Sequence, residues 1–299
     1  MVHQTSSKRP SLIIYFLIAF VVAGAVFTAG HFLSPTPTES EIADTPTEPE
    51  PTPEPTEPAK PPFINLQPII DNWLASLNSH AEVAVYIYDL DNEQIAAEHN
   101  AYTRFGLASI YKLFFVYKAY ERVEQGIYDG NAYFADGKTL NQCLDKIIRE
   151  SYNPCAEPLR AKMLDEIEGI IKNEYGIDNT AAGALYASAK ATADMLRIYY
   201  EHKTLSEETY ALILDSMLNQ PPTTYNWRQG LPSGFKVAKV YDKVGWNYTG
   251  SYWETYDDAA IVEFPDENRH YLMVVLSGYI NYTDIAALGS QLETAILAY

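Results

Sequence analysis

A serine and a lysine one helical turn apart are the residues of this chain best suited to covalent chemistry. Ser109 follows a loop and opens a strongly apolar helical run, and Lys112 comes three residues later. Residues three apart share a helix face, and a serine at a helix amino end has free backbone N–H groups for an oxyanion. A lysine among apolar side chains loses hydration, which favours its neutral form as a proton acceptor. The pair predicts nucleophilic acyl transfer.

The same spacing also has a purely structural interpretation. Ser-x-x-Lys occurs often by chance, with the serine capping a helix and the lysine extending along its surface. Two further motifs favour the chemical interpretation. Ser151-Tyr152-Asn153 stands in a predicted loop between helices, and Lys243-Val244-Gly245 lies on a predicted strand just before Trp246.

In this order the three motifs make the chain resemble the penicillin-recognising serine hydrolases, and class A β-lactamases most closely. The likeness extends over roughly residues 82–299. It implies an α/β fold (α+β type) of the β-lactamase and transpeptidase kind, with an antiparallel sheet flanked by helices and an all-helical insert. It also implies a hydrolase that works through an acyl-enzyme and needs no cofactor.

The resemblance gives each motif residue an expected role. Ser109 would attack a carbonyl carbon, Lys112 would accept its proton, and Ser151 would pass a proton to the leaving nitrogen. Lys243 would place positive charge near Ser151 and near a substrate carboxylate. The expected substrate-binding residues are Asn153, Val244, Gly245 and Trp246, with the N–H groups of Ser109 and Trp246 forming an oxyanion hole.

The chain departs from the class A pattern in three places. Tyr152 replaces the usual Asp of the second motif, at a middle position that varies among related enzymes and has no direct role. Val244 replaces the Thr or Ser of the third, which removes a hydroxyl that would bond a substrate carboxylate. Residues 176–188 replace a longer loop that holds a water-activating Glu, and Asp178 is their only acid. We therefore expect slow hydrolysis of an acyl-enzyme formed from a β-lactam.

Two other functions stay open at this point. A peptidase acting on the D-Ala-D-Ala ends of cell-wall peptides fits the missing deacylation base. A catalytically silent wall-binding module of the same fold fits Val244 and the shortened loop. The expected partner is a β-lactam or a peptidoglycan stem peptide, and the chain is expected to be a monomer.

Helix and strand patterns predict how these residues are positioned. Residues 83–90 and 94–98 predict a hairpin that follows an amphipathic helix starting at Gln67. Helical patterns dominate from Ser109 to Asn219. The predicted breaks within them are at Gly126, at Asp136-Gly137, at Asn153-Pro154 and at Gly176. Later segments predict strands at 235–241, 250–253, 259–264 and 271–277 and a helix at 284–299. This arrangement predicts an antiparallel sheet built from both ends of the chain, beside a helical insert.

The first 62 residues predict a membrane tether. Residues 12–29 form an uncharged apolar run, preceded by Lys8 and Arg9 and followed by no Lys or Arg until Lys60. This predicts a cytoplasmic tail at 1–10 and either a transmembrane anchor or a cleavable signal peptide at 11–33. Residues 34–62, rich in Pro, Thr and Glu, predict an extended disordered linker. The hydrolase domain at 63–299 is then extracytoplasmic, held at the cell membrane or secreted if the signal is cleaved.

The net charge, the cysteines and the histidines indicate which kinds of partner, disulfide and metal site can be expected. The formal net charge is −18 and no basic run is present, which argues against nucleic acid. Cys143 and Cys155 predict a disulfide in an extracytoplasmic domain, with two buried thiols as the alternative. The six histidines are scattered, so no metal site is expected.

Overall fold

Strands from both ends of the chain form the central sheet of the computed structural model, which describes residues 60–221, 228–248 and 253–299. The predicted tail, the predicted anchor and the linker before Lys60 lie outside these residues. No helix in the described ranges is long and apolar enough to cross a membrane. The tether therefore stays a prediction.

The strands of the described ranges form one large sheet and two short ladders. In chain order they are β1 (Glu82–Asp89), β2 (Gln94–His99), β3 (Arg104–Gly106), β4 (Tyr133–Ala135), β5 (Lys138–Thr139), β6 (Thr180–Ala181), β7 (Tyr186–Ser188), β8 (Lys239–Tyr248), β9 (Trp253–Phe264) and β10 (Arg269–Gly278). The large sheet is antiparallel with the order β2-β1-β10-β9-β8. The ladders are β3-β7-β6 and β4-β5. The predicted sheet from both chain ends is confirmed.

Helices cover both faces of the large sheet. In chain order they are α1 (Gln67–Ser76), a 3₁₀ helix (Ala108–Tyr111), α2 (Lys112–Glu124), α3 (Leu140–Arg149), α4 (Asn153–Asn173), α5 (Ala189–Glu201), α6 (Glu207–Leu218), α7 (Leu231–Gly234) and α8 (Tyr282–Leu297). The segment from α2 to α6 is the predicted helical insert.

Two hydrophobic cores lie on opposite faces of the sheet. Alternate side chains of β1 enter different cores: Ala84 and Tyr86 enter the first, and Val83, Val85 and Ile87 enter the second. The first core contains the apolar faces of α2 to α6, and the second contains those of α1 and α8. A sheet covered on both faces needs apolar residues at nearly every position, as β1 and β10 have.

Helix α2 lies inside the first core and carries part of the site. Every residue from Lys112 to Glu121 is buried, so the helix is enclosed on all sides. Burying each large apolar side chain of such a helix contributes about 1.5–3 kcal/mol. This packing gives the Ser109 and Lys112 segment a rigid base.

The structure corrects the predicted break at Asn153-Pro154. Helix α4 begins at Asn153, and Pro154 occupies its first turn, where the missing N–H of proline costs nothing. The break lies earlier, at Ser151, which has a left-handed backbone with φ of 54°.

The structure also corrects two predicted strands. Residues 235–238 precede β8 and are not in a strand, because the Glu293 carboxylate accepts the backbone N–H groups of Lys236 and Val237. The strand predicted at 259–264 is part of a longer strand, because β9 runs from Trp253 to Phe264. Residues 250–252 of the strand predicted at 250–253 lie outside the described residues. Asp257 and Asp258 interrupt the apolar pattern of β9, although both are fully buried.

Candidate active site

Ser109 lies in the 3₁₀ helix directly before α2, and Lys112 is the first residue of α2. Ala108, just before the serine, has a positive φ of 35°, a conformation that non-glycine residues adopt at an energetic cost. A hydrogen bond from the Leu107 N–H to the Leu185 carbonyl, at 2.9 Å, ties this turn to the loop before β7. The serine is therefore held by its neighbours in a strained, defined turn.

The Lys112 amine is the centre of the polar cluster. Its Nζ lies 3.0 Å from Ser109 Oγ, 2.7 Å from the Ser151 carbonyl oxygen, 3.0 Å from Ser151 Oγ and 2.7 Å from Asn153 Oδ1. The structure thus brings together Ser109, Lys112, Ser151 and Asn153, as the motifs predict. The lysine is only 1 % exposed.

These four contacts suit a neutral amine. A neutral amine has two hydrogens and one lone pair, and the two closest contacts are carbonyl oxygens that can only accept. The Ser151 carbonyl and Asn153 Oδ1 take both hydrogens, so the lone pair is left for a hydroxyl proton. Ser109 Oγ is placed to donate that proton.

Burial keeps Lys112 in this form. It is the main cause that lowers the lysine pKa from its ordinary 10.5 to about 6. The positive charge of Lys243 lowers the pKa further, and the Glu157 carboxylate opposes both effects. At pH 7 the Lys112 amine is mostly neutral and can act as a base.

Ser151 is presented to the site by a left-handed turn between α3 and α4. The turn is closed by the Tyr152 N–H, which donates to the Lys146 carbonyl at 3.2 Å. A disulfide between Cys143 of α3 and Cys155 of α4 spans it. The structure thus forms the predicted disulfide, and a closed loop of this size contributes about 3 kcal/mol.

Tyr152 anchors the turn through contacts with Asp136 and Lys138. Its hydroxyl donates to the Asp136 carboxylate, and the Lys138 ammonium lies 5.0 Å from its ring centre. Asp136 and Lys138 also form an ion pair at 2.7 Å. The residue that replaces the usual Asp therefore joins the Ser151 turn to the segment that carries β4 and β5.

Lys243 reaches the cluster from β8. Its Nζ lies 3.1 Å from Ser151 Oγ and 2.7 Å from the Val244 carbonyl oxygen. Burial lowers its pKa from 10.5 to about 8, and the nearby carboxyls of Asp242 and Asp258 oppose this effect. At pH 7 Lys243 is therefore mostly protonated beside a mostly neutral Lys112.

Gly245 allows β8 to approach the serine turn. A Cβ at this position would lie 2.8 Å from the Leu107 carbonyl oxygen and 3.0 Å from the Ser109 nitrogen. The Val244 side chain is buried, and strand alternation puts it on the face opposite Lys243, so only its backbone can contact substrate. Trp246 is half-buried and packs against the second core.

The short loop at residues 176–188 forms β6, a tight turn and β7. Glu168 of α4 holds the turn: its carboxylate accepts the Gly183 N–H at 2.7 Å and the Thr180 hydroxyl at 3.1 Å. Asp178, the only acid of the loop, is exposed and precedes β6. The described site therefore has no loop carboxylate in the turn itself.

The family comparison agrees with this geometry. The family model described as "Beta-lactamase enzyme family" matches residues 65–135 and 131–299, well over half of the chain. The chain belongs to the beta-lactamase enzyme family. Membership supports a hydrolase of this superfamily. A comparison with curated protein sequences gives no significant match.

Solved structures share the fold of this β-lactamase-family chain. A β-lactamase from Chitinophaga pinensis has a TM-score of 0.64 at 19 % identity, covering 77 % of this chain and 98 % of its own. PBP-A has a TM-score of 0.65 at 18 % identity, covering 81 % and 100 %. A class A β-lactamase representative from Bacteroides cellulosilyticus has a TM-score of 0.66 at 16 % identity, covering 79 % and 99 %. The predicted β-lactamase and transpeptidase-like fold is confirmed.

Several polar residues near the site belong to none of the three sequence motifs. Asp242, directly before Lys243, and Asp258 opposite Val244 are fully buried, and burial raises the pKa of both carboxyls. Glu157, four residues after Asn153, acts electrostatically on Lys112. Its i,i+4 spacing from Asn153 was a usable signal, whereas the buried aspartates resemble surface acids in sequence.

Proposed function

We propose that this β-lactamase-family hydrolase forms an acyl-enzyme on Ser109 with β-lactams. The observation that carries the proposal is the Lys112 amine, 3.0 Å from Ser109 Oγ, with a pKa lowered to about 6 and both hydrogens directed at carbonyl oxygens. An amine in this state is a competent base for a serine nucleophile.

The acylation step follows from the contacts. As the bond from Ser109 Oγ to the lactam carbonyl carbon forms, Lys112 takes the hydroxyl proton. The carbon–nitrogen bond then breaks, and the proton passes from Lys112 through Ser151 Oγ, 3.0 Å away, to the leaving nitrogen. Lys243, 3.1 Å from Ser151 Oγ, favours electron density on that oxygen during the transfer.

Substrate recognition uses charge and amide contacts. The Asn153 side chain gives its oxygen to Lys112, so its NH₂ group stays available to donate to a substrate carbonyl. The Lys243 charge attracts a carboxylate next to the reacting carbonyl. One similar solved structure, of a PBP-A variant, is described as an acyl-enzyme complex with penicillin G, which supports the same ligand class here.

A second candidate is a peptidase for D-Ala-D-Ala ends of cell-wall peptides. The observation that favours it is the loop at 176–188, whose turn holds no acid to activate water. Such an enzyme would acylate readily with a β-lactam and release the product slowly. A silent wall-binding module of the same fold would not acylate at all.

Turnover of two substrates separates these functions. The full chain, purified in detergent, is given benzylpenicillin and, separately, a stem peptide ending in D-Ala-D-Ala. Steady hydrolysis of benzylpenicillin supports a β-lactamase, and release of D-alanine with slow penicillin turnover supports the peptidase. Turnover of both that persists in a Ser109→Ala variant would contradict the proposed mechanism.

We also propose that the domain is extracytoplasmic and tethered by residues 11–33 and the linker at 34–62. The apolar run after Lys8 and Arg9 and the disulfide support this placement. Membrane fractionation of cells expressing the full chain tests it. We expect the chain in the membrane fraction, with its domain open to external protease; a chain found wholly in the cytosol would contradict it.

A further inference from the structure

Release of the acyl group from Ser109 needs a base that takes a proton from water. The carboxylates near the short loop are poor candidates for this base. Glu168 already accepts hydrogen bonds from the Gly183 N–H and the Thr180 hydroxyl, and Asp178 precedes β6. Ser109 Oγ must regain a proton when the ester breaks, and Lys112, 3.0 Å away, is the group placed to deliver it. A separate acceptor near Lys112 would complete the reaction.

Glu157 lies on the part of α4 that faces the site. Asn153, four residues earlier, places its Oδ1 2.7 Å from Lys112 Nζ. Residues four apart share a helix face and are about 6 Å apart along the axis. The Glu157 side chain therefore starts one turn beyond a residue that touches the catalytic lysine.

The charge of Glu157 affects the pKa of two residues close to Ser109 in the sequence, Lys112 and Tyr111. Burial and the Lys243 charge lower the pKa of Lys112, and the Glu157 carboxylate opposes them. Burial raises the pKa of Tyr111, next to that lysine; the Arg160 charge opposes this rise and the Glu157 carboxylate adds to it. Among anionic groups in the described ranges, Glu157 is the one that acts on Lys112. It therefore lies near the reacting groups as well as on the correct helix face.

Glu157 is also free to bind water. Its side chain is exposed, and within residues 60–221, 228–248 and 253–299 it makes no hydrogen bond or ion pair. In contrast, Glu166 and Glu168 on the same helix are held by Arg122 and by the loop turn.

We infer that Glu157 is the general base that activates water for hydrolysis of the Ser109 acyl-enzyme, and this inference rests on the proposed acylation of Ser109. The water oxygen bonds to the ester carbonyl carbon while Glu157 takes one water proton. The proton passes from Glu157 to the neutral Lys112 amine, and the resulting ammonium gives it to Ser109 Oγ as the bond from the carbonyl carbon to Oγ breaks. The product is a carboxylic acid, and every enzyme group returns to its starting state.

Acylation and deacylation are measured separately in the full chain with benzylpenicillin and intact-mass spectrometry. Glu157→Gln keeps the size of the side chain and removes the base. We expect adduct formation to stay within about threefold of wild type and adduct decay to slow about a hundredfold, as for loss of a general base. Glu157→Asp is expected to recover part of the decay rate.

Asp165→Asn is the matched control. Asp165 is an exposed acid on α4 about 12 Å further along the helix axis, so it reports the effect of losing one charge. Its adduct should decay as in wild type. Equal decay in wild type and Glu157→Gln would overturn this inference and leave acylation intact. No adduct in either the wild-type chain or Glu157→Gln, together with no hydrolysis of benzylpenicillin, would overturn both acylation and the inference built on it.

Discussion

Lys112 and Lys243 both contact Ser151 Oγ, yet they carry different charges at neutral pH. Lys112 gives its hydrogens to two carbonyl oxygens and has a pKa near 6. Lys243 has two buried carboxyls nearby and a pKa near 8. In the proposed mechanism this difference lets one amine accept the serine proton while the other supplies positive charge, so we expect that the two lysines are not interchangeable.

The two lysine pKa values predict a bell-shaped pH profile for acylation. The rate should rise with pH through about 6, as Lys112 loses its proton, and fall through about 8, as Lys243 loses its charge. The measurement is the second-order rate of benzylpenicillin acylation from pH 4.5 to 10. Lys243→Gln should lower the rate, abolish the basic limb and move the acid limb to higher pH, because it removes a positive charge near Lys112. An acid limb near pH 10 in wild type would contradict a neutral Lys112.

At the scale of elements, the site depends on close contact between β8 and the 3₁₀ helix. Gly245 is the contact point, and a side chain there would meet backbone atoms of Leu107 and Ser109. Backbone cannot rotate away as a side chain can, so any added atom must push the strand and the turn apart. This glycine therefore sets how closely β8 approaches Ser109, and with it the geometry of the proposed oxyanion hole.

Gly245→Ala should therefore separate activity from folding. We expect acylation to fall about a hundredfold, the cost of misplacing a reacting group by about 1 Å, while the protein stays folded. Gly278→Ala at the end of β10 is the matched control, because its added Cβ would meet only ordinary contacts, the nearest at 3.5 Å. Acylation of the Gly245→Ala chain at the wild-type rate would show that the close approach is unimportant.

The sequence predicted elements well where pattern alone decides them. The hairpin of β1 and β2, the apolar helix after Ser109 and the three motif segments follow local periodicity and turn residues. The course of β9 could not be predicted, because Asp257 and Asp258 are buried by the fold around them. The left-handed turn at Ser151 and the role of Tyr152 depend on Lys146, Asp136 and Lys138, which no local pattern connects to the motif.

At the scale of the whole molecule, buried acids make stability depend on pH. Asp257 is fully buried in β9, where one oxygen accepts the Ser277 N–H at 2.9 Å and the other has no described partner. Burial raises the pKa of this carboxyl well above its ordinary 3.8. The protonated acid is thus the stable native form, and its stabilising effect is lost as pH rises from the unfolded pKa towards the folded one.

Asp257→Asn should remove this dependence. The amide oxygen can still accept from Ser277, but it does not ionise. The free energy of unfolding of the variant, relative to that of wild type, should increase by about 1.4 kcal/mol per pH unit above pH 4, until the native pKa of Asp257 is passed. Thermal unfolding of both full chains from pH 4 to 8 measures this, with Asp165→Asn as an exposed control. A constant offset between the curves would contradict a native protonated Asp257.

The central claim is covalent acylation of Ser109, and intact-mass spectrometry of the full chain with benzylpenicillin tests it most directly. We predict a mass increase of one benzylpenicillin in the wild-type protein. Peptide mapping should place that increase on Ser109. A folded Ser109→Ala variant should show no increase. The absence of both an adduct and hydrolysis of benzylpenicillin in folded wild-type protein, or an equal adduct in the variant, would contradict acylation of Ser109.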